Sequence, residues 1–158
     1  MKVSFVYNGR RRSMEVQPQE PAHRYLGGHR DRQGVCGDGS CMNCAILLGG
    51  RVVTACGLPA YRLDGAEIVD LEGLKSDTLH RDIMRAFDKV GITRCVDSLP
   101  GLVFLAYQLL ADNPLPGDDD LHDISRHLTS RCVSRDEYER AVRLAGRVHK
   151  RKHHELPR

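Results

Sequence analysis

Four of the six cysteines are spaced as ligands for an iron–sulfur cluster. Three lie close together and the fourth follows at a distance, in the pattern Cys36-x4-Cys41-x2-Cys44-x11-Cys56. This is the spacing of one class of [2Fe–2S] sites, in which four thiolates hold two irons. The sequence therefore predicts one [2Fe–2S] cluster, and with it the transfer of single electrons.

The residues between these cysteines suit a loop that curls around a cluster. Gly34, Gly37 and Gly39 permit backbone conformations that other residues avoid, and exposed N–H groups in such a loop can donate to the cluster sulfurs. A structural zinc site and four buried structural thiols are the alternatives. Zinc sites usually combine two short C-x2-C hooks, whereas only Cys41 and Cys44 have that spacing here.

The first part of the chain carries strand and turn signals. Apolar residues alternate with polar ones on both sides of Asn8-Gly9, which predicts a β-hairpin whose turn is lengthened by the arginines at 10–12. The cysteine-rich segment has little periodicity and is predicted to be a loop. The further elements expected here are a short helix over 22–26, a hairpin with strands at 45–48 and 52–55 around Gly49-Gly50, and a strand over 68–71.

The second part of the chain is predicted to be helical, with a boundary near residues 73–76. Helix start and stop signals recur at intervals that suit four helices. The expected helices run from an N-cap at Ser76 or Asp77 to Gly91, from Pro100 to Asn113, from the acidic residues 118–120 to His127, and onward from the capping box of Ser134 and Glu137.

Bulk composition excludes several classes of function. The net charge of +3 is too small to indicate a nucleic-acid-binding protein. No stretch is apolar enough to span a bilayer, and the first residues lack the apolar core of a signal peptide, so we expect a cytoplasmic protein with no membrane insertion. The basic residues at the end of the chain are expected to form a solvated, frayed tail.

Residues 34–74 resemble the iron–sulfur subunit of molybdenum hydroxylases, the family of xanthine dehydrogenase, aldehyde oxidoreductase and carbon monoxide dehydrogenase. The family pattern is roughly G-C-G-x-G-x-C-G-x-C-x-V-x-x-x-G-x-x-V-x-S-C, followed by an E-G-L element. The matching residues are Cys36, Gly37, Gly39, Cys41, Cys44, Gly50, Val53, Cys56 and Glu72-Gly73-Leu74. The sequence departs from the pattern at Met42, where the family usually has glycine.

The resemblance implies an α+β protein: a β-grasp plant-type ferredoxin domain over residues 1–74, then a four-helix bundle over 75–148 and a basic tail over 149–158. It also implies a heteromeric complex with a large molybdopterin-binding subunit and a medium FAD-binding subunit. In that setting the small subunit relays single electrons between the two cofactors. It needs no catalytic residue of its own, and the large subunit selects the substrate.

The family carries a second cluster in the helical domain, on a Q-C-G-x-C…C-R-C pattern. The corresponding ligand positions here are Cys95, Ser98, Ser130 and Cys132. A serine hydroxyl is less acidic than a cysteine thiol, and its oxygen is a harder donor than the thiolates that iron–sulfur clusters favour. No second cluster is therefore expected. Cys95 and Cys132 then remain as buried thiols or as a disulfide.

Arg94 replaces the family's glutamine, which lies near the pterin. It is interpreted either as a contact to a phosphate or carboxylate on the pterin side, or as an ordinary surface arginine. Two other functions stay open for the whole chain. It could be a structural subunit whose helical domain only docks the large subunit, or a stand-alone ferredoxin-like redox partner.

Overall fold

A computed structural model describes residues 1–27, 36–128 and 130–154. It divides the chain into two compact units, Met1–Leu74 and Lys75–Arg158. The first unit contains a β-sheet and the second contains α-helices. Gly34, which the sequence places in the cluster loop, lies outside the described residues.

The first unit is built on one mixed sheet of five strands. Its strands are β1 (Lys2–Tyr7), β2 (Arg10–Glu15), β3 (Ala45–Leu48), β4 (Arg51–Thr54) and β5 (Glu67–Val69), in the order β2-β1-β5-β3-β4. β1 and β5 are parallel, and the other neighbours are antiparallel. Val3, Phe5 and Tyr7 alternate into the core as the sequence predicts, whereas β2 forms one edge and exposes its three arginines.

The first hairpin has a tighter turn than the sequence predicts. Tyr7 pairs directly with Arg10, so the turn consists of Asn8 and Gly9 alone. Their φ angles of 49° and 77° suit the two-residue turn that matches strand twist. The prediction that the arginines lengthen this turn is therefore wrong. Asn8 and Gly9 form the turn by themselves, and the arginines belong to β2.

Three other predictions in this unit shift by a few residues. The helix expected over 22–26 is a single 3-10 turn, Ala22–Arg24. β4 starts one residue earlier than expected because Arg51 pairs with Leu48 across the Gly49-Gly50 turn. β5 ends before Asp70, whose carboxylate accepts hydrogen bonds from the Gly73 backbone and from the Asn8 side chain instead of continuing the strand.

The second unit contains α1 (Thr78–Val90), α2 (Leu99–Asp112), α3 (Asp118–Ser125) and α4 (Arg135–His154). The predicted caps of α1 are confirmed: Asp77 accepts from the His80 backbone N–H, and Gly91 ends the helix with φ of 91°. The capping box before α4 is confirmed as well, with reciprocal bonds between Ser134 and Glu137. No helix within the described ranges is long and apolar enough to cross a membrane.

The core of the second unit is organised around Tyr138 on α4. Its ring is fully buried and meets Phe87 edge to face, with ring centroids 5.9 Å apart. Its hydroxyl donates to the backbone carbonyl of Leu102, 2.8 Å away. Because the only polar atom of the side chain is satisfied, this large residue can occupy the centre of the core.

The described part of the basic tail, as far as His154, is helical rather than frayed, whereas residues 155–158 of the predicted tail lie outside the described residues. α4 continues to His154, and two of its side chains reach Asp82 on α1. Nδ1 of His149 lies 3.0 Å from the Asp82 carboxylate, and Lys152 pairs with its other oxygen. Asp82 is buried, so these contacts provide the partners that a buried carboxylate requires. The basic residues thus hold α4 against α1.

Candidate metal centre

The hairpin of β3 and β4 brings the third and fourth cysteines together. Cys44 comes directly before β3 and Cys56 shortly after β4. The Ala55 backbone N–H donates to the carbonyl of Cys44 (3.1 Å), and the Cys56 N–H donates to Sγ of Cys44 (3.3 Å). Both cysteines belong to the buried core of the first unit. Antiparallel pairing therefore fixes one pair of thiols at one end of the sheet.

The first and second cysteines form another pair at the surface. The Cys41 backbone N–H donates to Sγ of Cys36, 3.4 Å away. Cys36 is exposed and Cys41 is half-buried, in contrast to the buried pair. The four thiols therefore extend from the core of the unit to solvent.

The loop around the surface pair has the left-handed backbone that tight curling requires. Gly37 and Gly39 have φ angles of 82° and 84°, and Met42 has φ of 57°. This explains why the family usually has glycine at position 42, because glycine adopts that conformation without steric cost; the structure does not explain the methionine. Methionine adopts the same backbone here at a cost of about 1 kcal/mol.

Thr54 on β4 packs against the same loop at Gly39. A Cβ atom added to Gly39 would lie 2.8 Å from Oγ1 of Thr54. Such a contact is too close for any side chain, so Gly39 is required both by its φ angle and by the approach of β4. The loop therefore lies close against the strand that leads to Cys56.

The local environment shifts the pKa of two of the thiols in opposite directions. Cys36 is exposed, but what burial it has, together with Asp38, raises its pKa. Hydrogen bonds from Cys41, both backbone and side chain, and from the Ser40 side chain outweigh these effects and lower the pKa to about 7. At Cys56, burial first and then its neighbour Cys44 raise the pKa to about 11. The charge of Cys36 makes a smaller contribution in the same direction.

The donor set has the kind and number of ligands that a [2Fe–2S] cluster takes. Across residues 1–27, 36–128 and 130–154, no group of three or more histidine, cysteine or acidic side chains is arranged to hold one ion. A [2Fe–2S] cluster instead needs only two protein thiolates at each iron. Two neighbouring cysteine pairs, one buried and one at the surface, provide that arrangement.

The structure brings together three of the four residues at the degenerate second site. Cys95 and Cys132 form a disulfide with their Cα atoms 5.9 Å apart. Oγ of Ser130 lies 3.2 Å from Sγ of Cys95 and 3.5 Å from Sγ of Cys132. Ser98 is the residue before α2, and its side chain makes no capping hydrogen bond.

Arg94, the candidate pterin-side contact, is exposed and folds back on its own turn. Its Nε donates to the carbonyl of Gly91, 3.1 Å away. Its positive charge also contributes to the lowered pKa of Glu137, although hydrogen bonds from Ser134 are the main cause. In this structure the Arg94 guanidinium therefore interacts with Gly91 and Glu137 of the second unit.

Asp70 connects the ends of β1 and β5, a role that the sequence does not indicate. It is buried, and its carboxylate accepts hydrogen bonds from Tyr7, Asn8 and Gly73. The Tyr7 hydroxyl also lies 2.8 Å from the carbonyl of Gly27, the last described residue before the cysteine loop. An aspartate just after a short strand gives no signal of this role, because its partners lie about 60 residues away in the chain.

Comparison with known proteins is consistent with this geometry, although no family model matches the chain. The small FeS subunit of nicotinate dehydrogenase from Eubacterium barkeri is 29% identical over 149 residues, which cover 90% of this chain and 93% of that relative. A probable xanthine dehydrogenase subunit from Bacillus subtilis is 32% identical over 113 residues, covering 72% of this chain and 63% of the relative. The chain is a homologue of the small iron–sulfur subunits of molybdenum hydroxylases.

The solved structures agree with that assignment. The crystal structure of aldehyde oxidoreductase from Desulfovibrio desulfuricans matches with a TM-score of 0.81 and 26% identity, over 96% of this chain and 17% of that one. The family resemblance and the α+β class predicted from the sequence are thereby confirmed. The relatives named as small FeS subunits also support an iron–sulfur cluster and a role in electron transfer.

Proposed function

We propose that this chain is the electron-transfer subunit of a molybdenum-hydroxylase-type complex and carries one [2Fe–2S] cluster on Cys36, Cys41, Cys44 and Cys56. The observation that carries the proposal is the pairing of these cysteines, Cys36 with Cys41 in the loop and Cys44 with Cys56 at the end of the β3–β4 hairpin. When bound, such a cluster accepts and releases one electron at a time.

The protein residues have distinct tasks in this proposal. Cys44 and Cys56 anchor the site in the core, where neighbouring side chains exclude water. Cys36 and Cys41 hold the side of the site that faces solvent, where an electron partner can approach. The backbone N–H groups of Cys41 and Cys56 donate to sulfur atoms of the ligand set, which favours the more negative, reduced state.

The finer architecture and the partners belong to the same proposal. The five-stranded sheet corresponds to a β-grasp ferredoxin domain, and α1 to α4 correspond to a four-helix bundle. Relatives named as small subunits support assembly into a multi-subunit complex. We infer that the partners are a large molybdopterin-binding subunit and a medium FAD-binding subunit, and that the chain relays electrons between their cofactors.

A second candidate function, docking of the large subunit, is favoured by the second site. Two of its four ligand positions are serine, and its two cysteines are joined to each other. The second unit then contributes an attachment surface rather than a redox centre. Docking would be the function of the chain, in place of electron transfer, only if the cluster of the first unit receives no electrons from the complex.

Iron content and electron paramagnetic resonance of the dithionite-reduced complex test the proposal. We expect about two irons per chain and one rhombic signal. Cys36→Ser should lose both, whereas Cys132→Ser, the matched control at another exposed cysteine, should retain them. About four irons with two distinct signals would contradict the single cluster. A chain that purifies without a pterin-binding and an FAD-binding partner would contradict the complex.

A further inference from the structure

The second unit holds two cysteines of unequal accessibility in one small cluster with a serine. Cys95 is 4% exposed and lies directly before the turn that leads into α2, whereas Cys132 is exposed just before α4. Their Cα atoms, 5.9 Å apart, are within the range that a disulfide spans without backbone movement.

Ser130 occupies the position beside both sulfurs. Its hydroxyl is within hydrogen-bond distance of each, and it accepts a hydrogen bond from the Cys132 backbone N–H at 3.3 Å. That backbone contact fixes the serine next to the sulfur pair. The two cysteines therefore meet directly, with a small polar group beside them, a setting that suits thiol chemistry and lacks the four thiolates of a cluster.

We propose that Cys95 and Cys132 form a reversible thiol–disulfide site, at which exposed Cys132 reacts with a small dissolved disulfide and buried Cys95 completes the bond. The co-reactant is a low-molecular-weight disulfide of the glutathione class. This site is separate from the four cysteines of the first unit and takes two electrons rather than one.

The reaction balances in two exchanges. The Cys132 thiolate attacks one sulfur of glutathione disulfide, forms a bond to it, and releases one glutathione. The Cys95 thiolate then attacks the Cys132 sulfur, forms the protein disulfide, and releases the second glutathione. The protein thiols give up two electrons and two protons, and glutathione disulfide becomes two glutathione molecules.

Exposure determines the order of these exchanges. A dissolved disulfide reaches the exposed sulfur of Cys132 directly, whereas Cys95 is enclosed by the second unit. Access is one of the quantities that set the rate of thiol–disulfide exchange. Cys132 is therefore the entry thiol and Cys95 the resolving thiol.

The sequence allows this site to be measured separately from the other cysteines. Trypsin cleaves after Arg94, Arg126, Arg131 and Arg135, which places Cys95 in the peptide 95–126 and Cys132 in the peptide 132–135. The full-length protein is reduced, equilibrated in glutathione buffers of increasing oxidised fraction, quenched with acid, unfolded in urea with N-ethylmaleimide so that buried thiols also react, and digested. Mass spectrometry should show the two peptides linked, in a fraction that rises with the oxidised fraction and follows a two-electron curve.

Two variants test the order of the exchanges. Cys95→Ser should accumulate a mixed disulfide of glutathione on Cys132, because the resolving thiol is missing. In Cys132→Ser, Cys95 should be recovered as the maleimide adduct without glutathione. Circular dichroism confirms that each variant is folded.

Three results would overturn the proposal. The first is recovery of both wild-type peptides as maleimide adducts in the most oxidising buffer. The second is glutathione on Cys95 rather than on Cys132 in the single variants. The third is an iron content of about four per wild-type chain that falls to about two in Cys95→Ser and in Cys132→Ser. Iron bound at Cys36, Cys41, Cys44 and Cys56 is measured independently, so failure here is distinguishable from failure of the proposed cluster.

Discussion

The hydroxyl of Tyr7 lies 2.6 Å from the carboxylate of Asp70, although 63 positions separate the two residues in the chain. Tyr7 ends β1 and Asp70 follows β5, so the contact ties together two parallel strands at the same end of the sheet. The same hydroxyl lies close to the carbonyl of Gly27. One phenol thus connects the sheet to the segment that leads toward the cysteine loop.

Tyr7→Phe should therefore destabilise the first unit by about 2 kcal/mol, the contribution of a hydrogen bond to a charged group. The ring still fills its place in the core, so the loss reports the hydroxyl alone. Urea unfolding measures the change, and Tyr61→Phe is the matched control because Tyr61 is an exposed tyrosine of the same unit. Equal stability of Tyr7→Phe and wild type would contradict this role of the hydroxyl.

Gly39→Ala and Gly37→Ala form a matched pair within the cysteine loop. Both positions have φ above 80°, so each alanine should cost about 1 kcal/mol in backbone strain. Only the Cβ at Gly39 meets Thr54, while that at Gly37 meets no atom within 4 Å. Overpacking of this kind costs about 1–3 kcal/mol more, so Gly39→Ala should lose much more iron than Gly37→Ala.

A second change in the same experiment separates contact from strain. Thr54→Ala removes Oγ1, the atom nearest to the added Cβ. The double variant Gly39→Ala with Thr54→Ala should recover iron to the level of Gly37→Ala. If the double variant retains no more iron than Gly39→Ala alone, the contact with Thr54 is not the cause.

Reduction of the Cys95–Cys132 disulfide should lower the stability of the second unit. The bond closes a loop with a sequence separation of 37 residues. In the chain-entropy description, a loop of that length contributes about 4 kcal/mol. Helical circular dichroism during urea unfolding, with and without dithiothreitol, measures the difference. Cys132→Ser should unfold identically in both buffers, and a shift in that variant would show that the reductant acts elsewhere.

Asp82 should make the second unit sensitive to acid. Burial raises the pKa of this carboxyl, but hydrogen bonds from Lys152 and His149 outweigh it and lower the pKa below its ordinary value. A lowered folded-state pKa means that the stabilisation is complete above the ordinary aspartate value, about 4, and is lost as the pH falls through the folded value.

Asp82→Asn isolates that contribution. At about pH 6 the variant should be about 1–2 kcal/mol less stable than wild type, since Lys152 is half exposed and solvent weakens the pair. The difference in unfolding free energy between wild type and variant should narrow toward about pH 3, where protonated Asp82 resembles asparagine. Urea midpoints at the two pH values give the comparison. A gap that is unchanged by pH would show that charge at Asp82 is not responsible.

Local signals in the sequence predicted most of the helical unit. The N-cap at Asp77, the stop at Gly91 and the capping box of Ser134 and Glu137 act through neighbours three or four residues away, so the sequence contains both partners side by side. The arginines at 10–12 show the opposite case. Their positive charges favour a loop, but pairing with β1 places these arginines in a strand.

For the proposed site, the sequence indicates the four cysteines but not their surroundings. The spacing of the four cysteines indicated a cluster, since the ligands of such a site lie close together in the chain. The supports of the site come from elsewhere: Thr54 reaches Gly39 from β4, and Asp70 reaches Tyr7 across the sheet. Such contacts depend on tertiary packing, and residue type alone did not reveal them. The continuation of α4 along Asp82 was missed for the same reason.

The arginines on β2 have a consequence for the behaviour of the protein at high concentration. β2 is an outer strand of the sheet, with unpaired backbone groups along one side. A second molecule that added its own β2 there would place the two strand backbones about 5 Å apart and bring two sets of three arginine side chains next to each other. Mutual repulsion opposes that approach, so these arginines protect the sheet from growing into chains of molecules joined edge to edge.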